Sequence, residues 1–483
     1  MNDLVRRSFV LSANNLGGRV VRGAGYKFLG MVVRTLVTIL STAILARLLA
    51  PADFGYVVMA GVVAEFAALA GSVGLTSVLI QRRVINRLQL DTIFWASLAI
   101  GVVLTGVVFV LSYASGWLFA DTKVAGLLRL MSITFVLNSL VAIPWVVMSR
   151  LLSFRMDFWA QNSIVVFRAV AAIACAYAGM GMWSLVWGGV VGGVVAVVVN
   201  FICVPYLPRL RFHWPLLADT WRTSGSYLGG SALYYINMNL DLLLIGRFLG
   251  AVPLGFYQNA RSLTDEIRAR IAMPIQHVLF PAFAAVQTDR GRFQQLVLRA
   301  GRLLAAVVVP VGFGVSAVAD ELVLVLYGEQ WRAMAPVMSM FGLSAAMRAA
   351  TAIASPLFGA CDRVGLALRY NLVGTALTVT GVMMSMPYGI EAVAITVTLT
   401  SLYSLIGFRA GFALIDLGIE HIAQVLGPPT AAAVLMWLVI YGLHQWSGDW
   451  SLGAGQLLCV SVGVGAMVYA LTLHLMSGQY LKD

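Results

Sequence analysis

Residues 182–206 read MWSLVWGGVVGGVVAVVVNFICVPY, a stretch without a single charged side chain. A helix needs about 20 apolar residues to cross the roughly 30 Å hydrocarbon core of a bilayer, so this stretch predicts a transmembrane helix. Similar stretches recur along the chain, of which 60% is hydrophobic and 11% charged. An ordinary soluble domain is about a quarter charged. The composition excludes a water-soluble fold and predicts an all-α polytopic membrane protein.

The same criterion predicts about fourteen transmembrane helices, an even number that places both termini on one side of the membrane. Arginines support this count, because they gather in alternate loops, as the positive-inside rule requires of cytoplasmic loops. We therefore predict a bacterial inner-membrane protein with both termini in the cytoplasm. The net charge of +12 belongs to these loops and does not indicate nucleic-acid binding. The predicted spans are 23–49, 51–80, 90–113, 123–149, 156–179, 182–206, 222–249, 252–283, 295–318, 334–360, 364–386, 389–415, 422–446 and 453–476. The loop arginines include Arg82, Arg83, Arg87, Arg150, Arg155, Arg209, Arg211, Arg290, Arg292, Arg363 and Arg369.

A short motif occurs twice, as ARLLAPADFGYVVMA from Ala46 and as GRFLGAVPLGFYQNA from Gly246. The offset covers six predicted helices, so both copies enter the membrane in the same sense. Two lobes related by an axis along the membrane normal follow, which is a transporter architecture with its site between the lobes. The matched pairs are Arg47 with Arg247, Leu49 with Leu249, and Gly55 with Gly255. The predicted organisation is a cytoplasmic N-terminal segment (1–22), an N-lobe (23–207), a cytoplasmic linker (208–221), a C-lobe (222–416) and two further helices with a short tail (417–483).

Ionisable side chains deep in a bilayer cost about 3 kcal/mol or more each, so they face a partner or a wet cavity. Guanidinium groups bind phosphate through charge-assisted, bidentate contacts, so we interpret the deep arginines as ligands of an anionic group. Structural ion pairing is the alternative, above all on predicted helix 8, where Asp265 lies between two arginines at helical pairing distance. The deep arginines are Arg34, Arg168, Arg261, Arg268 and Arg348.

Other polar side chains share predicted helix faces with one another or with these arginines. Thr38 follows Arg34 on the first helix, and Tyr234, Asn237 and Asp241 form a stripe on the seventh. Buried carboxylates can titrate near neutral pH, so some are candidates for coupling to a proton or sodium gradient. Structural pairing and aromatic packing are the alternatives for these residues. We predict cavity or sugar contacts for Thr38, Tyr234 and Asn237, and ion coupling for Glu65, Asp241 and Asp265.

The sequence has no motif for nucleotide, metal or nucleophilic chemistry. It contains no Gly-rich phosphate loop, no HExxH and no GxSxG, and its four cysteines are scattered singly. The basic N-terminal segment has no compact apolar run ending in a cleavage site, so we expect no signal peptide. We predict a protein without catalytic residues, metal or cofactor, which draws its energy from an ion gradient, the membrane potential or the substrate gradient.

Both copies of the motif, together with the flanking NLDLLLIG from Asn239 and the LFPAFAAVQTD stretch from Leu279, resemble a known family. It is the polysaccharide transporter branch of the multidrug/oligosaccharidyl-lipid/polysaccharide exporter superfamily, which includes Wzx-type flippases. The resemblance implies a V-shaped pair of six-helix lobes with two extra C-terminal helices. It also implies a cationic central cavity, onto which Arg34, Arg261, Arg268 and Arg348 can be placed by helix position.

The function implied by this resemblance is a flippase. Such a protein turns polyprenyl-pyrophosphate-linked oligosaccharides from the cytoplasmic to the periplasmic leaflet by alternating access, for exopolysaccharide, capsule or O-antigen synthesis. Its partners are the lipid-linked oligosaccharide, membrane lipids, and polysaccharide polymerase and export proteins. A drug/cation antiporter of the same superfamily is the alternative, and it predicts a cavity rich in acids and poor in arginines. A membrane glycan polymerase predicts a long periplasmic loop, and no gap between the predicted helices is long enough.

Overall fold

The computed structural model describes residues 16–71, 75–119, 121–286, 289–446 and 453–476, which are almost entirely helical. The predicted all-α class is confirmed. The first helices are α1 (Leu16–Leu48), α2 (Pro51–Gly71), α3 (Leu75–Gln81), α4 (Arg87–Leu111), α5 (Ser115–Phe119), α6 (Lys123–Arg150), α7 (Phe154–Tyr177), α8 (Met182–Cys203) and α9 (Trp214–Phe248). They are followed by α10 (Ala251–Val286), α11 (Arg290–Ala317), α12 (Ala319–Leu326), α13 (Ala335–Ala350), α14 (Ala354–Ala360), α15 (Val364–Ser385), α16 (Ile390–Ser401), α17 (Ser404–Ala413), α18 (Ile419–Trp446) and α19 (Ala454–Met476). Short 3-10 helices occupy Ser112–Ala114, Glu329–Met334 and Met386–Tyr388.

Eleven helical spans within the described ranges are long and apolar enough to cross a membrane. The multi-pass membrane character is therefore confirmed. Three predicted spans are not among the eleven, and they correspond to α9, α10 and α15. These helices have 35, 36 and 22 residues, so each is long enough to cross, and they contain charged residues such as Asp241, Arg261 and Arg369. The count of fourteen stays a prediction.

The chain forms two compact units, Met1–Gly255 (unit 1) and Phe256–Asp483 (unit 2). In unit 1, α4 packs on α6, and α7 packs on both α1 and α8; in unit 2, α11 packs on α13 and α18. Helix α9, assigned by sequence to the second lobe, packs against α2, α3 and α4 of unit 1. It begins at Trp214, within the predicted linker 208–221. The predicted lobe boundaries stay predictions.

The two copies of the repeated motif have the same local structure. Helix α1 ends at Leu48 and α2 begins at Pro51, while α9 ends at Phe248 and α10 begins at Ala251, each 200 positions later. The backbone hydrogen bond at the end of the helix before each turn is also repeated. Leu49 N donates to Leu45 O at the end of α1, and Leu249 N donates to Ile245 O at the end of α9. The repeat seen in the sequence is therefore a repeat of helix–turn–helix structure.

Within unit 1 these two turns lie against each other through their glycines. A Cβ atom added to Gly55 would lie 1.9 Å from the carbonyl oxygen of Ala251, and one added to Gly255 would lie 2.1 Å from that of Pro51. Pro51 and Ala251 are themselves equivalent positions of the repeat. The glycine of each repeat therefore lies against the carbonyl group of the first helical residue in the other repeat. This pseudo-two-fold contact leaves no space for a side chain at either glycine.

Arginine-bearing loops meet at one end of unit 1. The guanidinium of Arg150, which is only 6% exposed, donates to Leu79 O at 2.7 Å and Arg82 O at 2.6 Å. Arg150 ends α6, and these acceptors lie at the end of α3 and just after it, where helical carbonyls have no partner within the helix. At the same end, Arg87 Nη2 donates to Leu207 O at 3.0 Å. Buried arginine therefore ties together loops that are far apart in sequence.

Replacing Arg150 by alanine is expected to lower the free energy of unfolding by about 2 kcal/mol, because buried carbonyls lose charged donors. Thermal unfolding of the purified protein in detergent measures this loss. Arg155→Ala is the matched control, because Arg155 is exposed. Equal unfolding temperatures for the two variants would show that the carbonyl contacts of Arg150 contribute nothing.

Candidate anion-binding site

Three guanidinium groups meet one carboxylate in unit 2. Asp265 on α10 lies 3.7 Å from Arg261 Nε, 3.1 Å from Arg268 Nε and 3.4 Å from Arg348 Nη2. The first two contacts follow from helical spacing, since residues three and four positions apart lie on one helix face. The third guanidinium comes from α13, which the fold brings beside α10. We call these four residues the arginine cluster.

The four residues of the arginine cluster, three arginines and one aspartate, have a formal charge of +2. Glu266, the next residue on α10, does not change this balance, since it accepts from Arg270 Nε at 2.9 Å in a pair of its own. The Nε atom of Arg348 is buried and has no hydrogen-bond partner among the described residues. A partly buried cationic group with unused donors is a site that an anion would complete.

The cluster is accessible at its surface. Exposed fractions of the side chains are 15% for Arg261, 28% for Asp265, 30% for Arg268 and 32% for Arg348. Partial burial lowers the local dielectric constant and strengthens electrostatic contacts relative to water. An anion can thus reach these guanidinium groups and bind them more strongly than it would bind arginines in a loop.

The helix that holds Arg348 is interrupted directly after it. Sequence predicted one helix over 334–360, whereas α13 ends at Ala350 and α14 begins at Ala354. Pro356 explains the break, because its ring nitrogen cannot donate to the carbonyl of residue 352 and its ring crowds that carbonyl. Arg348 therefore occupies the last turn of α13, where the negative end of the helix dipole favours a cation.

A second interrupted helix lies beside the first. The span predicted over 389–415 is divided into α16 and α17, which are separated by residues 402–403. Thr351 Oγ1 donates to Ser404 Oγ at 3.0 Å and so joins the two breaks. Discontinuous membrane helices occur where the backbone lines a protein cavity or a binding site. Sequence analysis missed both breaks, although Pro356 was a signal for the first.

The predicted arginines of unit 1 do not form such a cluster. Arg34 on α1 is half-buried and makes no ion pair within the described part of the chain, and Thr38, one turn later, is exposed. Lys27, two turns before Arg34 on the same helix, contacts Asp157 of α7 at 2.5 Å. Arg168 is exposed on α7, where its carbonyl oxygen lies 2.8 Å from a Cβ built on Gly188. Gly188 of α8 thus packs closely against α7. Anion-binding roles for Arg34 and Arg168 stay predictions.

The predicted coupling carboxylates of unit 1 have hydrogen-bond partners. Tyr235 Oη on α9 donates to Glu65 Oε2 at 3.2 Å and to Val62 O at 3.0 Å, while Asp241 Oδ1 accepts from Leu242 N at 3.0 Å. The predictions for Tyr234 and Asn237 fall on side chains outside the described residues. Among the described residues, no group of three or more His, Cys, Asp or Glu side chains could hold a metal ion.

A buried carboxylate that sequence analysis missed lies at the start of α4. Asp91 is completely buried and accepts hydrogen bonds from Tyr206 Oη and from Arg209 N, the latter at 3.4 Å. Both partners of Asp91 lie more than 110 positions away in sequence, so spacing alone could not reveal them.

Relatives of known role match most of this chain. The succinoglycan biosynthesis transport protein ExoT of Rhizobium meliloti is 27% identical over 471 residues, which cover 96% of this chain and 94% of ExoT. The lipopolysaccharide biosynthesis protein WzxC of Escherichia coli is 25% identical and covers 80% of this chain and 78% of WzxC. The teichuronic acid biosynthesis protein TuaB of Bacillus subtilis is 23% identical over 94% of this chain and 95% of TuaB.

Solved structures share the fold. The lipid II flippase MurJ in an inward closed conformation matches with a TM-score of 0.70 and 12% identity, over 94% of this chain and 98% of MurJ. A multidrug resistance MATE family transporter of the MOP superfamily, in an inward-facing conformation, matches with a TM-score of 0.63 and 15% identity, over 79% of this chain and 94% of the transporter. Identities this low show the fold alone.

A family model described as polysaccharide biosynthesis protein matches residues 44–336, more than half of the chain. The matched range includes both copies of the repeated motif and three arginine-cluster residues, Arg261, Asp265 and Arg268. The resemblance drawn from the motifs is confirmed, and the chain belongs to the polysaccharide biosynthesis protein family.

Proposed function

We propose that this protein moves polyprenyl-diphosphate-linked oligosaccharides across the bacterial cytoplasmic membrane, by alternating access, for the synthesis of a surface polysaccharide. The observation that carries the proposal is the arginine cluster, in which three guanidinium groups share one carboxylate within an apolar protein. Transport and biosynthesis of polysaccharides are also the roles in the names of the relatives. A cargo that combines a diphosphate, a glycan and a prenyl chain fits both observations.

Diphosphate matches the cluster in charge and in hydrogen-bonding geometry. Its phosphate oxygens accept parallel N–H donors from guanidinium, and such charge-assisted bonds are roughly twice as strong as neutral ones. Asp265 acts as an internal counter-ion in this proposal and keeps the arginines partly neutralised when no substrate is bound. Binding then exchanges contacts with one anion for contacts with another, so the substrate can also leave.

Arg34 and Arg168 of unit 1 are proposed as further contacts for the diphosphate, with Thr38, Tyr234 and Asn237 contacting the glycan. Glu65, Asp241 and Asp265 are the proposed sites of coupling to a proton or sodium gradient. The basic end of unit 1, with Arg82, Arg87 and Arg150, is assigned to the cytoplasm by the positive-inside rule, and both termini lie on that side in the proposal.

A drug/cation antiporter is the less favoured function for this fold. A cation antiporter needs carboxylates that attract its positively charged cargo. The arginine cluster instead has an excess of two positive charges. Electrostatic repulsion would exclude a cationic drug from this site.

Cells lacking this protein are expected to accumulate lipid-linked repeat units on the cytoplasmic face of the membrane. A membrane-impermeant glycan-modifying reagent, applied to right-side-out and inverted vesicles, measures the distribution between the leaflets. Complementation with the wild-type chain is the control and should restore periplasmic labelling. Normal labelling of the periplasmic leaflet without the protein would contradict the proposal.

A further inference from the structure

The segment that joins α8 to α9, residues 204–213, is fixed to the body of unit 1 through its backbone. We call it the linker segment. Its main-chain groups face the start of α4, whose side chains supply the partners. The bonds run from Arg87 Nη2 to Leu207 O at 3.0 Å, from Trp95 Nε1 to Arg209 O at 2.8 Å, and from His213 N to Thr92 Oγ1 at 3.2 Å.

Beneath the linker segment lies the buried carboxylate of Asp91. It accepts from Tyr206 Oη and Arg209 N, and Arg87 Nε is 3.8 Å from its second oxygen. Helix α4 is itself fixed at this point by a capping box between Asn86 and Gln89. Since these polar groups hold the backbone from the inside, residues 209–213 of the segment are exposed in a defined arrangement, while Val204 and Tyr206 are buried.

The outward surface alternates apolar and basic side chains. Leu210 is 89% exposed, Phe212 51% and Trp214, the first residue of α9, 68%. The rings of Phe212 and Trp214 lie 6.4 Å apart, which places these alternate residues on one face. Each of the three apolar residues is preceded by an exposed arginine or histidine, namely Arg209, Arg211 and His213. A water-exposed loop has no reason to present three large apolar side chains, so this surface fits a partner that is both apolar and anionic.

The position of the linker segment, at the ends of two membrane helices, identifies that partner as the membrane surface. The segment lies between the end of α8 and the start of α9, at the same end of unit 1 as Arg82 and Arg150. Helix ends lie at the boundary between hydrocarbon and water, where aromatic rings are enriched. Loops rich in arginine lie on the cytoplasmic side of a membrane, where the lipid leaflet contains anionic lipids.

We propose that the linker segment is a binding site for anionic phospholipid headgroups. Arg209 and Arg211 contact the phosphate, while Leu210, Phe212 and Trp214 enter the boundary between headgroups and acyl chains. Docking fixes the start of α9 at the membrane surface. An acidic protein would satisfy the arginines only, and it would leave the aromatic face exposed at the level of the lipid. This site shares no residue with the arginine cluster. The lipid-binding proposal can therefore be tested independently of the identity of the transported substrate.

The test uses purified full-length protein, delipidated in detergent and titrated with phosphatidylglycerol or phosphatidylcholine. Ligands that bind only the folded state raise the unfolding temperature, and native mass spectrometry counts the lipids retained. The first variant is Arg209→Gln with Arg211→Gln, and the second is Phe212→Ala with Trp214→Ala. The matched control is Arg290→Gln with Arg292→Gln, which removes the same charge from arginines paired with Asp416 and Asp289.

Phosphatidylglycerol is expected to stabilise the wild type and the control more than phosphatidylcholine does. Both linker variants should lose at least half of this difference and retain fewer phosphatidylglycerol molecules, with unchanged unfolding temperatures in lipid-free detergent. If the aromatic variant does not fold, the arginine variant alone tests the proposal. Equal stabilisation by the two lipids, or wild-type behaviour of the arginine variant, overturns the proposal. Wild-type lipid retention with loss of a co-purifying acidic protein also overturns it, in favour of a protein partner.

Discussion

Replacing Arg348 by alanine is expected to reduce transport of lipid-linked oligosaccharide about 100-fold while leaving the amount of protein in the membrane unchanged. Two charge-assisted hydrogen bonds to phosphate contribute about 3 kcal/mol together, which corresponds to about two powers of ten in binding. Arg348 has the clearest unused donor capacity of the cluster, because its Nε is buried without a partner among the described residues. Transport into the opposite leaflet of proteoliposomes measures the effect.

The fold should tolerate this substitution for an electrostatic reason. Removing Arg348 does not leave a carboxylate unpaired, since Arg261 and Arg268 still contact Asp265. Arg348→Lys, which keeps the charge but loses the planar fork, is expected to lose about tenfold, because one of the two phosphate bonds is lost. Arg270→Gln is the control, because Arg270 pairs with Glu266 outside the cluster. Full transport by Arg348→Ala would contradict the anion-binding role, and an equal loss in Arg270→Gln would show a general effect of charge.

Part of the arginine cluster could be predicted from sequence. Asp265 lies four positions after Arg261 and three before Arg268, and a helix brings such residues together whatever the tertiary fold. The contact with Arg348 could not be predicted in this way, because it depends on how α10 packs beside α13. The break after Ala350 was also missed, although a proline at 356 is a known cause of such breaks. A proline does not always break a helix, since Pro144 lies inside the continuous helix α6.

The repeat was more informative about the fold than any single span. The structure gives both copies the same helix–turn–helix form, with helix ends at Leu48 and Phe248 and helix starts at Pro51 and Ala251. Hydropathy could not show which helices pack together, and α9 packs within unit 1 although its sequence belongs to the second repeat. The linker segment was likewise assigned only as a basic cytoplasmic loop, because its fixation depends on Asp91 and Trp95, more than 110 positions earlier.

The glycine contact between the repeats leads to the second large effect. Gly55→Ala is expected to lower the free energy of unfolding by about 3 kcal/mol, at the upper end of the usual cost of overpacking. The reason is that a methyl group at this position would lie 1.9 Å from the oxygen and 2.6 Å from the carbon of the Ala251 carbonyl. A side chain could rotate away from such a clash, but backbone cannot, so the two turns must separate by more than 1 Å to reach ordinary contact distances.

The equivalent substitution in the other repeat should have nearly the same cost. Gly255→Ala would place its methyl group 2.1 Å from the Pro51 oxygen. The double variant should cost less than the sum, because separating the turns for one methyl group also makes space for the other. Gly106→Ala on α4 is the matched control, since nothing lies within 4 Å of its added Cβ. Thermal unfolding in detergent compares all four variants. An unfolding temperature for Gly55→Ala equal to that of Gly106→Ala would contradict the close approach of the two turns, and additive losses in the double variant would show that the two glycines do not share one contact.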